Sequence, residues 1–434
     1  MARKVVLAAL VLTAGCTLYS EVSVSPLSML PSNIERGSDL KSMLRKADYL
    51  RAMEMASFID SRPRRTAEDL AALGQAYLAA GRYDEARSRL RAALDLNPFR
   101  NVYAQIAWDL SQVEYMANNY ESSLEWAKIA IERDLKVRQW HLEYLTALRN
   151  VKTYDFTGAA SERVAFKFGK PDVPRVSVRL NGTREAEGIV DSGAVLSIIS
   201  RRLATSLPLK QLGTFEGTFY GLLGEPIQVN FGLLESLQIG DMVIANVPVA
   251  IMPDDKMRFL ISKRERIEFR MDFLLGSNLL KEFRLELDFD RNRATFTRLT
   301  AAYRKPDAEQ NLFILNFRPH VRGAVNRHGW YLFVLDTGSE ITFLNQSRLA
   351  GLPVQVFGSG HTATLQGLGG AMKRGAKLED VEVGVDRWGG MFRTIPMYTA
   401  GERDESVGII GQNFLKNFHV VIDFGRMRVD LERR

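Results

Sequence analysis

The spacing of apolar residues changes along the 434-residue chain, and each spacing predicts a different kind of structure. Residues 5–14 form an apolar run of ten. From about residue 38 to 150, apolar residues recur every three or four positions, which is the spacing of one face of an α-helix. After residue 151, short β-branched runs separated by Gly, Asn and Pro follow, as in an all-β domain. We therefore expect a multi-domain chain in which helices precede strands.

The N-terminal apolar run is too short to be a lasting membrane span. Arg3 and Lys4 precede it, and ten helical residues at about 1.5 Å each cannot cross a hydrocarbon layer about 30 Å thick. A short apolar run after a positively charged start is typical of a signal peptide. The segment Leu12-Thr13-Ala14-Gly15-Cys16 resembles the bacterial lipoprotein signal.

That resemblance implies that residues 1–15 are removed and that Cys16 carries a lipid anchoring the protein in the cell envelope. Thr17 is not acidic, which by the same resemblance favours the outer membrane, facing the periplasm. Residues 16–37 contain Ser and Pro with little apolar periodicity and are expected to form a flexible tether. A plain secretory signal with an incidental cysteine is the alternative.

The region 38–150 carries the spacing of a helical repeat. Small and large residues fall at fixed offsets, namely Leu73, Gly74, Tyr77, Gly81, Tyr83, Ala86, Leu90, Ala93 and Pro98. This set resembles a tetratricopeptide repeat (TPR), in which small residues let paired helices touch and proline closes the second helix. Tyr49 lies one 34-residue period before Tyr83, and Tyr120 lies 37 residues after it. Such repeats could present a concave surface to a protein partner.

The β region contains one unit twice. Asp191-Ser192-Gly193 and Asp336-Thr337-Gly338 each follow an apolar strand and precede another. Downstream of each motif two apolar residues precede a glycine, at Gly276 and Gly411, within stretches that align without a gap. We interpret this as an internal duplication, with lobes at 151–300 and 301–434.

The duplicated unit closely resembles retropepsin and pepsin-like aspartic proteases, over about residues 173–434. The resemblance implies a bilobed all-β protease in which each lobe supplies one catalytic aspartate, Asp191 and Asp336, to a shared cleft. It also implies that the Ser192 and Thr337 hydroxyls join the two loops and that the substrate is a peptide or protein.

The chemistry explains these residue types. Two carboxyls within hydrogen-bond reach cannot both ionise easily, so the pair shares one proton. One activates water and the other protonates the scissile carbonyl, so the reaction requires no metal or other cofactor. Gly193 and Gly338 let backbone approach the carboxylates without a Cβ. Ser339 follows the second motif, and its hydroxyl is expected to stabilise ionised Asp336, giving a mildly acidic to near-neutral working pH.

Glycine-rich turns lie between the motifs of each unit. Gly221 and Gly224 bound the first turn, and Gly367 and Gly370 bound the second. We expect these turns to form flaps over the cleft, with Tyr220 beside the first.

Composition excludes several other functions. The net charge is +7, but Lys and Arg are spread along the chain without a basic aromatic run, so no nucleic-acid partner is expected. The single cysteine and five scattered histidines offer no metal cluster or cysteine nucleophile. Three alternatives stay open: a binding module with an inactive cleft, a protease that pairs lobes across a dimer, and a scaffold acting through its repeats.

Overall fold

The computed structural model describes residues 6–8, 11–13, 22–27, 40–45, 49–62, 64–221, 224–262, 267–307, 309–349, 357–367, 372–398 and 406–434. Within them the long helices precede most of the strands, as the apolar spacing predicts, but three short strands, Val6–Ala8, Val11–Thr13 and Ser23–Pro26, come before the helices and pair with the later strands. Cys16 and most of the predicted tether lie outside the described residues. The described part of the tether is not a free linker as expected, because Ser23–Pro26 pairs antiparallel with Trp388–Met391. Among the described helices, none combines the length and apolarity needed to cross a bilayer.

Helices occupy the first third of the chain and recur only as short segments beyond it. They are α1 (Leu40–Arg45), α2 (Tyr49–Asp60), α3 (Ala67–Ala79), α4 (Tyr83–Asp95), α5 (Arg100–Met116), α6 (Tyr120–Glu132), α7 (Gln139–Leu148), α8 (Arg201–Thr205), α9 (Ser277–Leu280), α10 (Gln346–Leu349) and α11 (Gln412–Leu415).

Helices α3 and α4 show why the small residues recur. Thr66 caps α3, and its hydroxyl accepts a hydrogen bond from the backbone N–H of Asp69, whose side chain accepts one in return. A Cβ at Gly74 would lie 2.4 Å from Leu90 Cγ, so only glycine allows the two helices to pack this closely. Leu90 is fully buried, so this contact forms part of the interface between α3 and α4.

The remainder of the described chain is built from strands. They are β1 (Val6–Ala8), β2 (Val11–Thr13), β3 (Ser23–Pro26), β4 (Asp155–Gly158), β5 (Ser161–Lys167), β6 (Arg175–Leu180), β7 (Arg184–Val190), β8 (Ser197–Ser200), β9 (Lys210–Gln211), β10 (Gly217–Gly221), β11 (Pro226–Ile239), β12 (Met242–Met252), β13 (Arg258–Ser262), β14 (Ile267–Arg270), β15 (Phe273–Leu275), β16 (Phe283–Asp288), β17 (Arg293–Arg298), β18 (Leu312–Leu315), β19 (Arg318–Val325), β20 (His328–Leu335), β21 (Phe343–Asn345), β22 (Phe357–Gly367), β23 (Met372–Val385), β24 (Trp388–Tyr398), β25 (Gly408–Ile410), β26 (Phe418–Asp423) and β27 (Arg428–Arg433).

The same strand arrangement occurs in both halves of the β part. In the first, β15 lies between β7, which it pairs in parallel, and β8, which it pairs antiparallel. In the second, β25 lies between β20 and β21 with the same two directions. The apolar residues before Gly276 and Gly411 form these central strands, so they are completely buried. The duplication seen in the sequence is therefore also a duplication of topology.

One sheet joins the two halves. Strand β16 of the first half pairs antiparallel with β26 of the second, with Leu287 opposite Val420. Both strands follow the short helix after the central strand, and their apolar residues alternate toward one continuous core.

The helical part is attached to the first lobe through a buried polar cluster. The Lys281 ammonium donates hydrogen bonds to the backbone oxygen of Met116 (3.0 Å) and to Asn118 Oδ1 (2.7 Å) in the turn after α5. It also pairs with Glu282 at 2.7 Å, and Arg304 contacts the other oxygen of Glu282. In a buried ion pair whose polar atoms all have partners, the geometry favours one orientation of the two surfaces. This cluster therefore positions the helices on the first lobe.

Candidate active site

Asp191 and Asp336 occupy equivalent places at the ends of two buried strands. Each follows the last residue of its strand, β7 or β20, and each is fully buried. The Asp191 N–H donates to Leu275 O at 3.0 Å, and the Asp336 N–H donates to Ile410 O at 3.1 Å. The central strand of each lobe therefore positions the backbone of its aspartate.

The two carboxyls face each other across the contact between the lobes. A Cβ added to Gly193 would lie 2.4 Å from Asp336 Cγ, and a Cβ added to Gly338 would lie 2.4 Å from Asp191 Cγ. Each loop glycine thus touches the carboxyl of the opposite loop. Any other residue at either position would push the opposite carboxyl aside, so both glycines are required by close approach.

Reciprocal hydrogen bonds join the two loops. The Ser192 N–H donates to Thr337 Oγ1 at 3.0 Å, and the Thr337 N–H donates to Ser192 Oγ at 3.1 Å. Each hydroxyl then donates across the interface, Ser192 to Leu335 O and Thr337 to Val190 O, both at 2.7 Å. All four bonds are buried, so they hold the carboxyls in a constant relative position.

Backbone groups hold one oxygen of each carboxyl. The Ala194 N–H donates to Asp191 Oδ1 at 3.0 Å, and the Gly338 N–H donates to Asp336 Oδ1 at 2.9 Å. Within the described part of the chain, the Oδ2 atoms accept no such hydrogen bond. Their second oxygens are therefore available to the opposite carboxyl, to water or to a substrate.

The pKa values of both aspartates are raised above the usual range. Burial raises the pKa of Asp191 to about 6. Burial, followed by the negative charge of Asp191, raises the pKa of Asp336 well above its usual range, and the positive charge of Arg318 acts in the opposite direction. Because two adjacent carboxyls titrate as a pair, one proton is held between them through the neutral range.

The Ser339 hydroxyl does not have the role expected from the sequence. It is fully buried and donates to Ile341 O at 2.9 Å, within its own loop. A hydroxyl has one proton to donate, so this bond removes the donor that was expected to stabilise ionised Asp336. The expected hydrogen bond from Ser339 to Asp336 is therefore wrong. Ser339 instead stabilises the loop that follows the second aspartate.

A second layer of polar residues supports both loops and was not assigned a role from the sequence. Asn278 Oδ1 accepts the Ser197 N–H at 2.6 Å, and Asn413 Oδ1 accepts the Thr342 N–H at 2.7 Å. Immediately before them, Ser277 Oγ donates to Ser192 O at 2.5 Å and Gln412 Nε2 donates to Thr337 O at 2.7 Å. The repeated Gly-x-Asn spacing was the signal that could have revealed this layer.

Arg318 is a further residue without a signal in the sequence. It begins β19 in the second lobe and is only 2% exposed, and its charge acts on Asp336. The positive charge of Arg318 therefore favours the ionised form of the aspartate pair.

Both predicted flap turns lie between antiparallel strands. In the first, β10 and β11 pair with Tyr220 opposite Pro226, and the Gly221 N–H donates to Glu225 O at 2.9 Å. Gly224 has φ +86°, a conformation that favours glycine. In the second, Gly367 ends β22, which pairs with β23, whereas Gly370 lies outside the described residues.

The edges of strands β10 and β22 pair with an extended apolar segment. Strand β1 pairs parallel with Tyr220 and Gly221, and β2 pairs antiparallel with Leu365, Gln366 and Gly367. One run of chain therefore forms backbone pairs with β10 of the first lobe and β22 of the second. An extended peptide can be held by backbone hydrogen bonds in the same way.

Comparisons with known proteins agree with the fold. Residues 176–279, which include Asp191, match the family model for aspartyl proteases, and residues 67–99 match the model for the tetratricopeptide repeat. Among solved structures, the chain is similar to a retropepsin-like aspartic protease from Rickettsia conorii at 16% identity, covering 33% of this chain and 93% of that chain with a TM-score of 0.21. No curated protein matches the chain. The predicted fold class, TPR-like helices followed by an all-β region that matches the aspartyl protease model, is confirmed.

Proposed function

We propose that the protein is an aspartic endopeptidase in which Asp191 and Asp336 together activate one water molecule. The observation that carries this proposal is the reciprocal packing of each loop glycine against the opposite carboxyl, at 2.4 Å from an added Cβ. A pair of buried acids held this closely by four reciprocal hydrogen bonds has little structural value, because burying ionisable groups is unfavourable. The arrangement instead suits proton transfer.

The paired carboxyls provide one ionised and one protonated group for the reaction. Burial raises the pKa of both acids, and the negative charge of Asp191 raises that of Asp336 further, so the pair keeps one of its two protons through the neutral range. The ionised carboxyl would take a proton from water as it attacks the peptide carbonyl, and the protonated carboxyl would donate its proton to the carbonyl oxygen. As the C–N bond breaks, the first carboxyl would give its proton to the leaving nitrogen, and the second would recover a proton from a hydroxyl of the tetrahedral intermediate.

Activity would follow the charge state of the pair. It would rise as pH increases toward about 6, where the pair loses its first proton, and fall at higher pH when the pair loses its second. The proposed working range is mildly acidic to near neutral, and it rests on burial and pair repulsion rather than on the Ser339 hydroxyl.

The substrate would be an extended segment of a peptide or protein paired with the flap strands. Backbone hydrogen bonds select an extended substrate of any sequence. Selectivity for particular substrate side chains therefore comes from pockets beside the cleft. We further propose that the protein acts in the cell envelope, held at the periplasmic face of the outer membrane by lipidated Cys16. The TPR-like helices would bind a protein partner.

The test is cleavage of a peptide library by the protein starting after Cys16. Wild type is compared with Asp191→Asn and Asp336→Asn across pH 4 to 8. We expect cleavage by wild type alone, with both variants reduced by several orders of magnitude. Cleavage that persists in either variant would exclude the paired-acid mechanism, and an equimolar mixture of the two variants tests for a cleft formed between chains.

Lipid attachment requires a separate measurement. Metabolic labelling with an alkyne fatty acid should mark the full chain but not Cys16→Ser. Labelling of both proteins, or of neither, would contradict the anchor.

A further inference from the structure

A small apolar cavity lies where the helical part meets both lobes. Its volume is about 30 Å³. Tyr115, Trp140 and His141 of helices α5 and α7 line one side. Val195, Leu196, Phe219 and Phe317 of the β part line the other. The walls are therefore almost entirely aromatic and aliphatic, which suits an apolar side chain.

Three features connect this cavity to the catalytic pair. Val195 and Leu196 belong to the loop that begins at Asp191 and is braced by the Asn278 layer. Phe219 lies on β10, the flap strand of the first lobe. Phe317 comes from the second lobe and directly precedes Arg318, whose charge acts on Asp336. The cavity thus adjoins the loop, the flap and the opposite lobe together.

Helix α7 holds the cavity wall in place against the flap. The Trp140 ring lies 4.8 Å from Phe219 and 5.8 Å from Phe231, between ring centroids. One residue before the helix, Arg138 Nη1 donates to Thr218 O at 3.2 Å, and its guanidinium lies 5.5 Å from the Tyr220 ring centroid. Two ring contacts of Trp140 and two further contacts of Arg138 therefore hold this end of α7 against the flap hairpin.

His141 completes the rear of the cavity without adding charge. Its ring lies 5.3 Å from that of Trp108 and 5.7 Å from that of Trp140, between centroids. Burial lowers its pKa to about 4, so the imidazole is neutral through the proposed working range. An uncharged aromatic lining favours an apolar group over a charged one.

We propose that the helical part forms one wall of a substrate pocket, in which Trp140 limits the accepted side chain to a small aliphatic one such as Val or Leu. One water needs about 10–15 Å³ on this measure, so 30 Å³ holds two or three water-sized groups, which suits a branched aliphatic end better than the six-membered ring of Phe. This inference rests on the proposed peptidase function and adds a specificity role for the TPR-like helices. Trp140 acts here by shape and is not a catalytic residue.

The experiment measures side-chain preference in full-length protein starting after Cys16. Peptides are varied at each position around the scissile bond, and the ratio of kcat/KM for Leu over Phe is compared between wild type, Trp140→Ala and Trp140→Phe. We expect one position at which wild type prefers Leu, and a reduction of that ratio by about tenfold or more in Trp140→Ala, since one or two methylenes in an apolar pocket change discrimination by about 10- to 200-fold. Trp140→Phe should lie between them.

Trp126→Ala is the matched control. Trp126 lies on α6, packs within the helical core, and does not line the cavity. Its replacement removes the same volume from the same domain, so the Leu-to-Phe ratio should stay that of wild type. An equal change in both variants would indicate a general loosening of the helices and would overturn the proposal, as would an unchanged ratio in Trp140→Ala.

Binding separates this inference from the proposed function. The same Leu and Phe peptides are titrated against Asp191→Asn and against Asp191→Asn/Trp140→Ala, so preference is measured without cleavage. Absence of cleavage in wild type, together with a size preference that Trp140→Ala relaxes, would reject the peptidase and retain the pocket. Equal affinity for both peptides in both proteins would reject the pocket.

Discussion

Replacing Asp191 with Asn is expected to make the β part more stable at neutral pH while removing activity. The native carboxyl is fully buried and ionises only at about pH 6. Asn has nearly the same shape, and its oxygen can still accept the Ala194 N–H that Asp191 Oδ1 accepts at 3.0 Å. The substitution therefore removes a buried charge without removing the hydrogen bond that positions the side chain.

The magnitude follows from the difference in proton affinity between folded and unfolded states. Unfolded Asp191 loses its proton near 3.8, whereas the folded group holds it to about 6. Below pH 3.8 both states are protonated, and the stability contribution of the neutral carboxyl is fully present. As pH rises through the window from 3.8 to about 6, that contribution is lost. At 1.36 kcal/mol per pKa unit, the loss above pH 6 is about 3 kcal/mol.

Urea unfolding followed by far-UV circular dichroism at pH 3 and pH 7 tests this reasoning. Asp191→Asn should match wild type at pH 3 and gain about 3 kcal/mol at pH 7. Asp60→Asn provides a control of opposite sign, because a hydrogen bond from Arg89 holds the pKa of Asp60 below its usual value. That variant should lose stability at pH 7. Equal urea midpoints for wild type and Asp191→Asn at pH 7 would show that the buried, ionised Asp191 carboxyl does not destabilise the folded state.

Further substitutions test the remaining contacts of the site. Thr337→Ala leaves the buried Ser192 N–H and Val190 carbonyl without their partner and should cost about 2–5 kcal/mol in urea unfolding, whereas Thr337→Ser, which keeps the hydroxyl, should stay within about 1 kcal/mol of wild type. Gly193→Ala should reduce kcat by about 100-fold or more because its Cβ would meet the Asp336 carboxyl, whereas Gly358→Ala, with open space around the added Cβ, should have no effect. Ser339→Ala should leave the pH profile of kcat in place, since the hydroxyl donates to Ile341, and a shifted optimum would restore the original expectation. Lys281→Met should separate thermal unfolding of the helical and β parts into two calorimetric transitions, because breaking a buried ion pair costs about 3–5 kcal/mol, and one unchanged transition would show that other contacts dominate.

The sequence predicts the parts of the site that were duplicated. Asp191 and Asp336 could be paired because the same strand, turn and Gly-x-Asn pattern surrounds both, and repetition of a packed unit leaves repeated apolar spacing. Helix pairing around Gly74 was likewise predictable, since close helix contact restricts the residue to glycine. In both cases one local physical requirement limits the residue types, so the pattern is visible in a single chain.

Features formed between distant segments left no such pattern. Arg318 and Trp140 are each unremarkable in their local sequence, and their roles come from contacts with residues far away in the chain. Lys281 occupies the same motif position as Lys416, yet Lys281 is buried against the α5 turn, while Lys416 is 43% exposed and lies 3.9 Å from Asp172. No property of the motif distinguishes the two lysines. Only docking of the helices onto one lobe does so.

That asymmetry bears on whether the repeats can be separated from the β part. Deleting residues 38–150 would expose the buried Lys281–Glu282 pair and the Phe219 and Phe231 faces that Trp140 covers. Loss of activity in such a truncated protein would report damage to the first lobe as readily as loss of a partner site. Single substitutions at Lys281 and Trp140 distinguish damage to the first lobe from loss of a partner site. The Lys281 substitution removes the ion pair that attaches the helices to the lobe, whereas the Trp140 substitution removes only the cavity wall beside β10. If the repeats acted as an independent scaffold, Trp140→Ala would leave every property of the cleft unchanged, and altered peptide preference in that variant alone would contradict the scaffold hypothesis.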